Sequence, residues 1–225
     1  MLVLVLDTAT PAITAALADV GDSDVQLRAQ RVTVDGRAHG ELLAPSIDAV
    51  LAQAGVRPQD LSAIVAGVGP GPFTGLRAGL VTAATMSSAL GIPAYGVATL
   101  DALGAATTGT VLVATDARRR EVYWAVYRDG SPAYPPKVSK PADVATAIAG
   151  AGVLLGVGEG AEKYADLLGV SAGEPSYPPP IEFARLAADW VRAKAPSEPL
   201  TPLYLRRPDA VEPVARKPAL AVGER

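Results

Sequence analysis

Hydrophobic runs and their spacing divide the chain into short strands and longer helices. Leu2–Leu6 is a continuous apolar run ending at Asp7, the pattern of a buried strand. Pro11 closes the turn that follows. Ile13–Ala18 and Val25–Val34 predict two further strands, separated by the polar turn Asp19–Asp24. Three consecutive strands of this kind make an antiparallel meander. Leu42, Leu43, Ile47, Val50, Leu51 and Ala54 then recur at helical spacing, and Gly55 suits the C′ position. Pro45 fits that helix only in its first turn or as a kink. Leu61–Ala66 predicts another buried strand, followed by a glycine-rich loop over residues 67–77. A helix is expected from Thr74, as its cap, to Leu90, stopped by Gly91 and Pro93. Ala94–Val97 reads as a strand, and Thr99 as the N-cap of a helix reaching Ala106.

From Thr110 a similar plan restarts. Val111–Thr115 is a strand ending at Asp116, and Glu121–Arg128 a second, closed by the hairpin pair Asp129-Gly130. A helix over Ala142–Ala149, a strand over Val153–Val157 and a helix over Glu159–Leu168 follow. Behind the Tyr177–Pro180 loop a helix is expected from Ile181 to Lys194. Prolines punctuate the chain from Pro196 on, which predicts an extended tail that frays at its end. The repeated opening, a strand and then an Asp-containing turn, predicts two related α/β lobes: residues 1–105, residues 106–207, and a tail of 208–225.

Composition narrows the chemistry. The 225 residues contain no Cys and one His, which removes a disulfide framework, a thiolate catalyst and any His-pair metal site. With 20 Lys+Arg against 23 Asp+Glu, the net charge of −3 offers no global field for a polyanion. The longest apolar run, Met1–Leu6, is far short of a membrane span and lacks the basic flank of a signal peptide, so a soluble cytoplasmic protein is expected.

Several motifs carry candidate chemistry. In an actin-like ATPase or sugar kinase the turn after the first strand reads Asp-x-Gly-Thr, where the Gly lets backbone wrap a phosphate. Here Ala9 replaces it after Asp7. The matching turn, Asp116-Ala-Arg118, also lacks Gly and places a bulky Arg where a phosphate would approach. Both turns therefore read as degenerate phosphate turns, against the plainer alternative of Asx-turns without catalytic meaning. The stretch Gly69-Pro-Gly-Pro-Phe-Thr-Gly-Leu-Arg77 is neither a Walker A nor a Rossmann loop, because its Gly spacing is wrong and no Gly-Lys-[Ser/Thr] follows. After it, Gly75, Gly79, Ala83 and Ser87 recur every four residues, a helix face nearly free of side chain. That face serves either an internal strand–helix contact or a helix-to-helix interface with a partner, with Leu42, Leu43, Ile47 and Leu51 supplying apolar surface nearby. His39 has no second ligand or triad partner and reads as a capping or surface residue. Arg118–Arg120 reads as a solvated charge run, and Tyr123, Trp124 and Tyr127 as core aromatics rather than base-stacking ones.

Taken together, the opening Leu6–Thr10, His39 before Leu42-Leu-Ala-Pro45, the stretch Gly69–Gly79, Asp116-Ala-Arg118 with Glu121-Val-Tyr123, and Pro202–Arg206 resemble the TsaB/YeaZ family. The resemblance runs from residue 1 to about 207, and its one departure is Pro72, where the family more often has Ser. It implies an actin-like ATPase fold made of two ribonuclease H-like lobes, each a mixed sheet flanked by helices. It also implies a non-catalytic dimerisation subunit of the bacterial tRNA threonylcarbamoyladenosine machinery. The implied partners are the catalytic subunit TsaD, the ATPase TsaE, and a second copy when the chain is alone, with tRNA contacted only indirectly and no membrane. No cofactor or metal of its own is implied. ATP or ADP is expected only at a seam of the complex. Two other classes, an active actin-like kinase and a metal-dependent glycoprotease, need phosphate-turn glycines or clustered ligands that this sequence lacks.

Overall fold

The computed structural model describes residues 1–197 and 199–206. Its elements fall into two sheets with one plan. The first carries β1 (Leu2–Asp7), β2 (Ala12–Val20), β3 (Val25–Val34), β4 (Ala63–Gly67) and β5 (Ala94–Val97), in the order β3-β2-β1-β4-β5. The meander β1–β2–β3 is antiparallel, whereas β4 and β5 run parallel to β1, with Val3 opposite Ala63 and Ile64 opposite Ala94. The second sheet repeats this arrangement. β6 (Thr110–Asp116) pairs antiparallel with β7 (Val122–Arg128) on one side and parallel with β10 (Leu155–Val157) on the other. Short strands β8 (Ser131–Pro132) and β9 (Lys137–Ser139) pair with β7, and β11 (Ser171–Gly173) with β10. Asp129 and Gly130 both take positive φ, as the two-residue hairpin requires.

The helices are α1 (His39–Ala54), α2 (Phe73–Leu90), α3 (Thr99–Ala105), α4 (Pro141–Ile148), α5 (Glu159–Lys163), α6 (Ala165–Leu168), α7 (Pro180–Leu186) and α8 (Ala188–Arg192). β1 is buried throughout, so its two faces serve two cores. Leu2, Leu4 and Leu6 pack with Leu43, Ile47 and Leu51 of α1 and Leu76 and Leu80 of α2. Val3 and Val5 pack instead with Phe183, Ala187 and Val191 of α7–α8. In the second sheet Leu112, Trp124 and Val126 meet Val144 and Ile148 of α4. Its opposite face receives Leu100 and Leu103 of α3, while Ala102 of the same helix turns to the first sheet's core. Tyr123, Trp124 and Tyr127 are all buried, in keeping with the core reading. The fold is α/β, two mixed sheets flanked by helices.

Local differences from the sequence expectation have identifiable causes. Pro45 lies inside α1, beyond its first turn. It sits on the exposed side of the helix beside exposed Glu41, whose carbonyl loses its partner at position 45 and faces solvent. Thr74 and Thr99 are not caps: Pro72 and Ala98 hold those positions. The helix expected over 159–168 breaks at Tyr164 (φ −121°), and the one expected from 181 breaks at Ala187 (φ −90°). Although the sequence division assigns residues 106–207 to a second lobe, α7 and α8 cover the first sheet. The tail of 208–225 lies outside the described residues. Among the described residues no helix is long and apolar enough to cross a membrane.

Candidate functional site

The candidate site is built where β1 and β6 end, between the two sheets. Asp7 closes β1 and is fully buried. Its Oδ1 accepts a hydrogen bond from the Thr99 hydroxyl at 2.9 Å, which is what Thr99 does in place of capping. Its Oδ2 has no hydrogen-bond partner among the described residues. Burial pushes the Asp7 carboxyl up to about 7, against the lowering effects of the Thr99 hydroxyl and the Ala9 amide. Gly67 is obligatory beside it, since a Cβ there would stand 1.8 Å from Oδ1.

The rest of the turn is closed by the chain itself. The Thr8 hydroxyl donates to the Gly75 carbonyl at 2.7 Å and accepts from the Gly79 amide at 3.0 Å. Those two groups are partners four residues apart in α2, so one hydroxyl bridges a helical hydrogen-bond position. A Cβ on Gly71 would lie 2.3 Å from the Ala9 carbonyl, and one on Gly79 2.5 Å from Thr8 Oγ1. The loop 69–75 therefore lies directly on the turn, filling the space a phosphate would need beside Ala9. His39 Nε2 sits 2.8 Å from the Thr10 carbonyl, a bond in which the ring nitrogen donates, and it flanks Gly75.

The second turn is occupied as well. Asp116 accepts from the Arg118 amide at 3.2 Å and from Lys163 Nζ at 3.0 Å. Glu159 Oε1 accepts the Asp116 amide at 3.1 Å, while its Oε2 is buried without a partner among the described residues. Burial raises the Glu159 carboxyl to about 7, the Asp116 amide opposing and the nearby charges of Asp116 and Asp7 adding to the rise. Glu159 and Lys163 escaped the sequence reading. The available signal was Gly158-Glu-Gly160 directly after a strand. These glycines lay the start of α5 on β6, a Cβ on either falling within 3 Å of backbone atoms of Ala114 or Thr115. Arg118, Arg119 and Arg120 all take left-handed φ of 62°, 52° and 59°. Each such non-glycine residue costs about 1–2 kcal/mol, so the turn is strained as well as charged.

The model of the TsaD family, tRNA N6-adenosine threonylcarbamoyltransferase, matches residues 32–166. An uncharacterized protein of Mycobacterium tuberculosis is 51% identical over 92% of this chain and 93% of its own length. The Escherichia coli tRNA threonylcarbamoyladenosine biosynthesis protein TsaB is 33% identical over 57% of this chain and 55% of its own. The solved structure of YeaZ from Pseudomonas aeruginosa superposes with a TM-score of 0.74 at 28% identity, covering 91% of this chain and 99% of that one. The chain belongs to the TsaB/YeaZ family. The fold is accordingly the α/β one shared with YeaZ, two mixed sheets flanked by helices.

The residues expected to form a partner surface in this family member need correction. Gly75, Gly79 and Ala83 are buried, the two glycines facing Thr8 and His39 of the same chain. Leu43, Ile47 and Leu51 are core, and Leu42 is half-buried against the same core. The Ser87 hydroxyl closes its own helix end by donating to the Ile92 carbonyl at 2.6 Å. The small-residue stripe is an internal helix-to-turn contact. What α2 presents outward is Phe73, Thr74, Val81, Ala84, Thr85, Ser88 and Ala89, with Arg77 as the one charge.

Proposed function

We propose that this chain is a non-catalytic subunit of a tRNA threonylcarbamoyladenosine-forming assembly, paired with a TsaD-type catalytic subunit and joined by a TsaE-type ATPase. The observation that carries the reading is the self-filled turn. Asp7 is buried and bonded to Thr99, Thr8 is spent on Gly75 and Gly79, and the loop 69–75 packs directly on Ala9. A chain arranged so does not hold ATP-Mg in its own cleft, and a seam with the catalytic subunit is where ATP or ADP would sit. Support for pairing comes from the outer face of α2. Val81 is 62% exposed among Ala and Thr neighbours, a surface low in charge and suited to another helix. A second copy of the chain uses the same face when the partner is absent.

The deciding experiment is reconstitution with the cognate TsaD- and TsaE-type proteins, with and without this chain, measuring threonylcarbamoyladenosine in tRNA. Modification that depends on the chain, together with no heat on titrating ATP-Mg into the chain alone at micromolar concentrations, supports the proposal. Full modification without the chain, or a clean one-site ATP isotherm, rejects it.

A further inference from the structure

The filled turns leave a different cleft open. It encloses about 660 Å³ between the start of α2, the β6–β7 turn and the last described residues. Phe73 and Arg77 come from α2, Arg118 and Arg119 from the turn, and Tyr204 and Arg206 from the C-terminal segment. The parts are organised. Arg77 lies 3.9 Å from the Phe73 ring centroid, and its Nε donates to the Tyr204 hydroxyl at 3.1 Å. The Phe73 and Tyr204 rings stack at 5.5 Å and 28°. Even so, Phe73 is 52% and Tyr204 43% exposed, so ring surface stays open to solvent.

Charge is concentrated here. Four guanidinium groups line the cleft; Arg206 pairs with Glu121, and Arg118 stands beside Asp116, whose carboxylate is already engaged by Lys163. Among the described residues the Arg77 guanidinium bonds the Tyr204 phenol and pairs with no carboxylate. A chain of net charge −3 thus carries a local basic patch, held in place by a strained left-handed turn. Guanidinium groups beside open aromatic faces match the chemistry of unpaired nucleotides: phosphates meet the arginines and bases stack on the rings. An acidic peptide would use the charges and leave the rings idle. A duplex keeps its bases stacked inside and offers the rings nothing.

We propose that this cleft binds a single-stranded RNA segment, with bases on the Phe73–Tyr204 pair and phosphates on Arg77 and Arg118. That the segment belongs to a tRNA rests on the function proposed above; the chemistry of the cleft does not.

The test uses the full chain and a fluorescein-labelled, mixed-sequence 12-nucleotide single-stranded RNA, followed by anisotropy over a salt series. The same strand annealed to its complement, poly-glutamate and ADP serve as competitors. Phe73→Ala should weaken binding roughly 5–150-fold, the loss that goes with one stacked base. Arg118→Asn keeps a residue tolerant of left-handed φ and should lower the slope of log K against log salt by about 0.7. Phe73 is half exposed and Arg118 exposed, so melting temperatures should shift by no more than a few degrees, far less than the loss of binding requires. Variants that bind like the parent chain, or equal competition by duplex, poly-glutamate or ADP, would overturn the proposal. The two readings separate cleanly. RNA binding by a chain dispensable for modification defeats the subunit role alone, whereas modification that needs the chain while RNA ignores the cleft defeats the cleft alone.

Discussion

Thr8 and Gly79 set up the sharpest contest between local propensity and packing. In an isolated helix Gly79→Ala gains about 1 kcal/mol. Here the new methyl would stand 2.5 Å from Thr8 Oγ1, a buried atom already bonded twice, and overpacking of that kind costs about 1–3 kcal/mol. Gly79→Ala should therefore destabilise the chain in urea unfolding. In a Thr8→Ala background the hydroxyl is gone, and the same change should become neutral or stabilising, a non-additivity that a double-mutant cycle reads directly. The buried carboxyls make a second expectation. Asp7 and Glu159 both titrate near 7 in the folded chain, above their unfolded values of 3.8 and 4.5. Between those limits the native state holds more protons than the unfolded one, so stability is highest at the acid end and falls as pH rises toward 7, by up to about 1.4 kcal/mol per pH unit for each group. Asp7→Asn should flatten part of that slope in chemical denaturation between pH 5 and 8; an unchanged slope would contradict the burial argument. The sequence marked Asp7 as a turn residue. It could not show that its neighbour's bonds go to Gly79, 71 positions away, because nothing in local spacing encodes that contact.

At the scale of elements, the strands and their order of appearance were legible from apolar runs and turn residues, and so was the four-residue stripe on α2. Its direction was not. A stripe of Gly75, Gly79 and Ala83 allows close approach by any backbone, and the periodicity is the same whether that backbone is another helix or the chain's own turn at residues 8–10. The structure turns it inward, which moves the expected docking face half a helix turn around to Val81 and Thr85. Val81→Asp and Thr85→Arg place charges on an exposed surface and should shift folded stability by no more than about 0.5 kcal/mol. At a closed helix–helix interface the same charges lose water without gaining a partner, so association with the TsaD-type subunit and self-association should both weaken at least about tenfold in analytical ultracentrifugation. Gly79→Leu, by contrast, should unfold the chain before it reports on any partner. Normal association of both charged variants would remove α2 from the interface.

For the whole molecule, the duplicated strand-and-Asp-turn plan could be read twice along the chain because each copy is contiguous. The return of the chain after residue 180 could not, since an amphipathic helix does not state which sheet it covers. That return decides how the molecule unfolds. Val3, Val5 and Val65 of the first sheet have Phe183, Ala184, Ala187 and Val191 as their cover, and α3 joins the two cores by sending Ala102 one way and Leu100 and Leu103 the other. The Tyr127 ring of the second sheet packs directly on Gly104 of that helix, and its hydroxyl donates to Asp101 at 2.6 Å. Neither sheet is enclosed by its own segment of sequence. A fragment of residues 1–105 would expose one face of a fully buried strand and should aggregate rather than fold. Adding a synthetic peptide of residues 176–206 should restore soluble, protease-resistant material. In the intact chain Phe183→Ala removes a ring that is wholly buried and should cost about 3–5 kcal/mol. Because the loss falls on a core shared through α3, calorimetry should show one transition moving down as a unit. A split into two transitions, with the second sheet melting at its original temperature, would mean that the lobes are independent and that the crossing helices do not couple them.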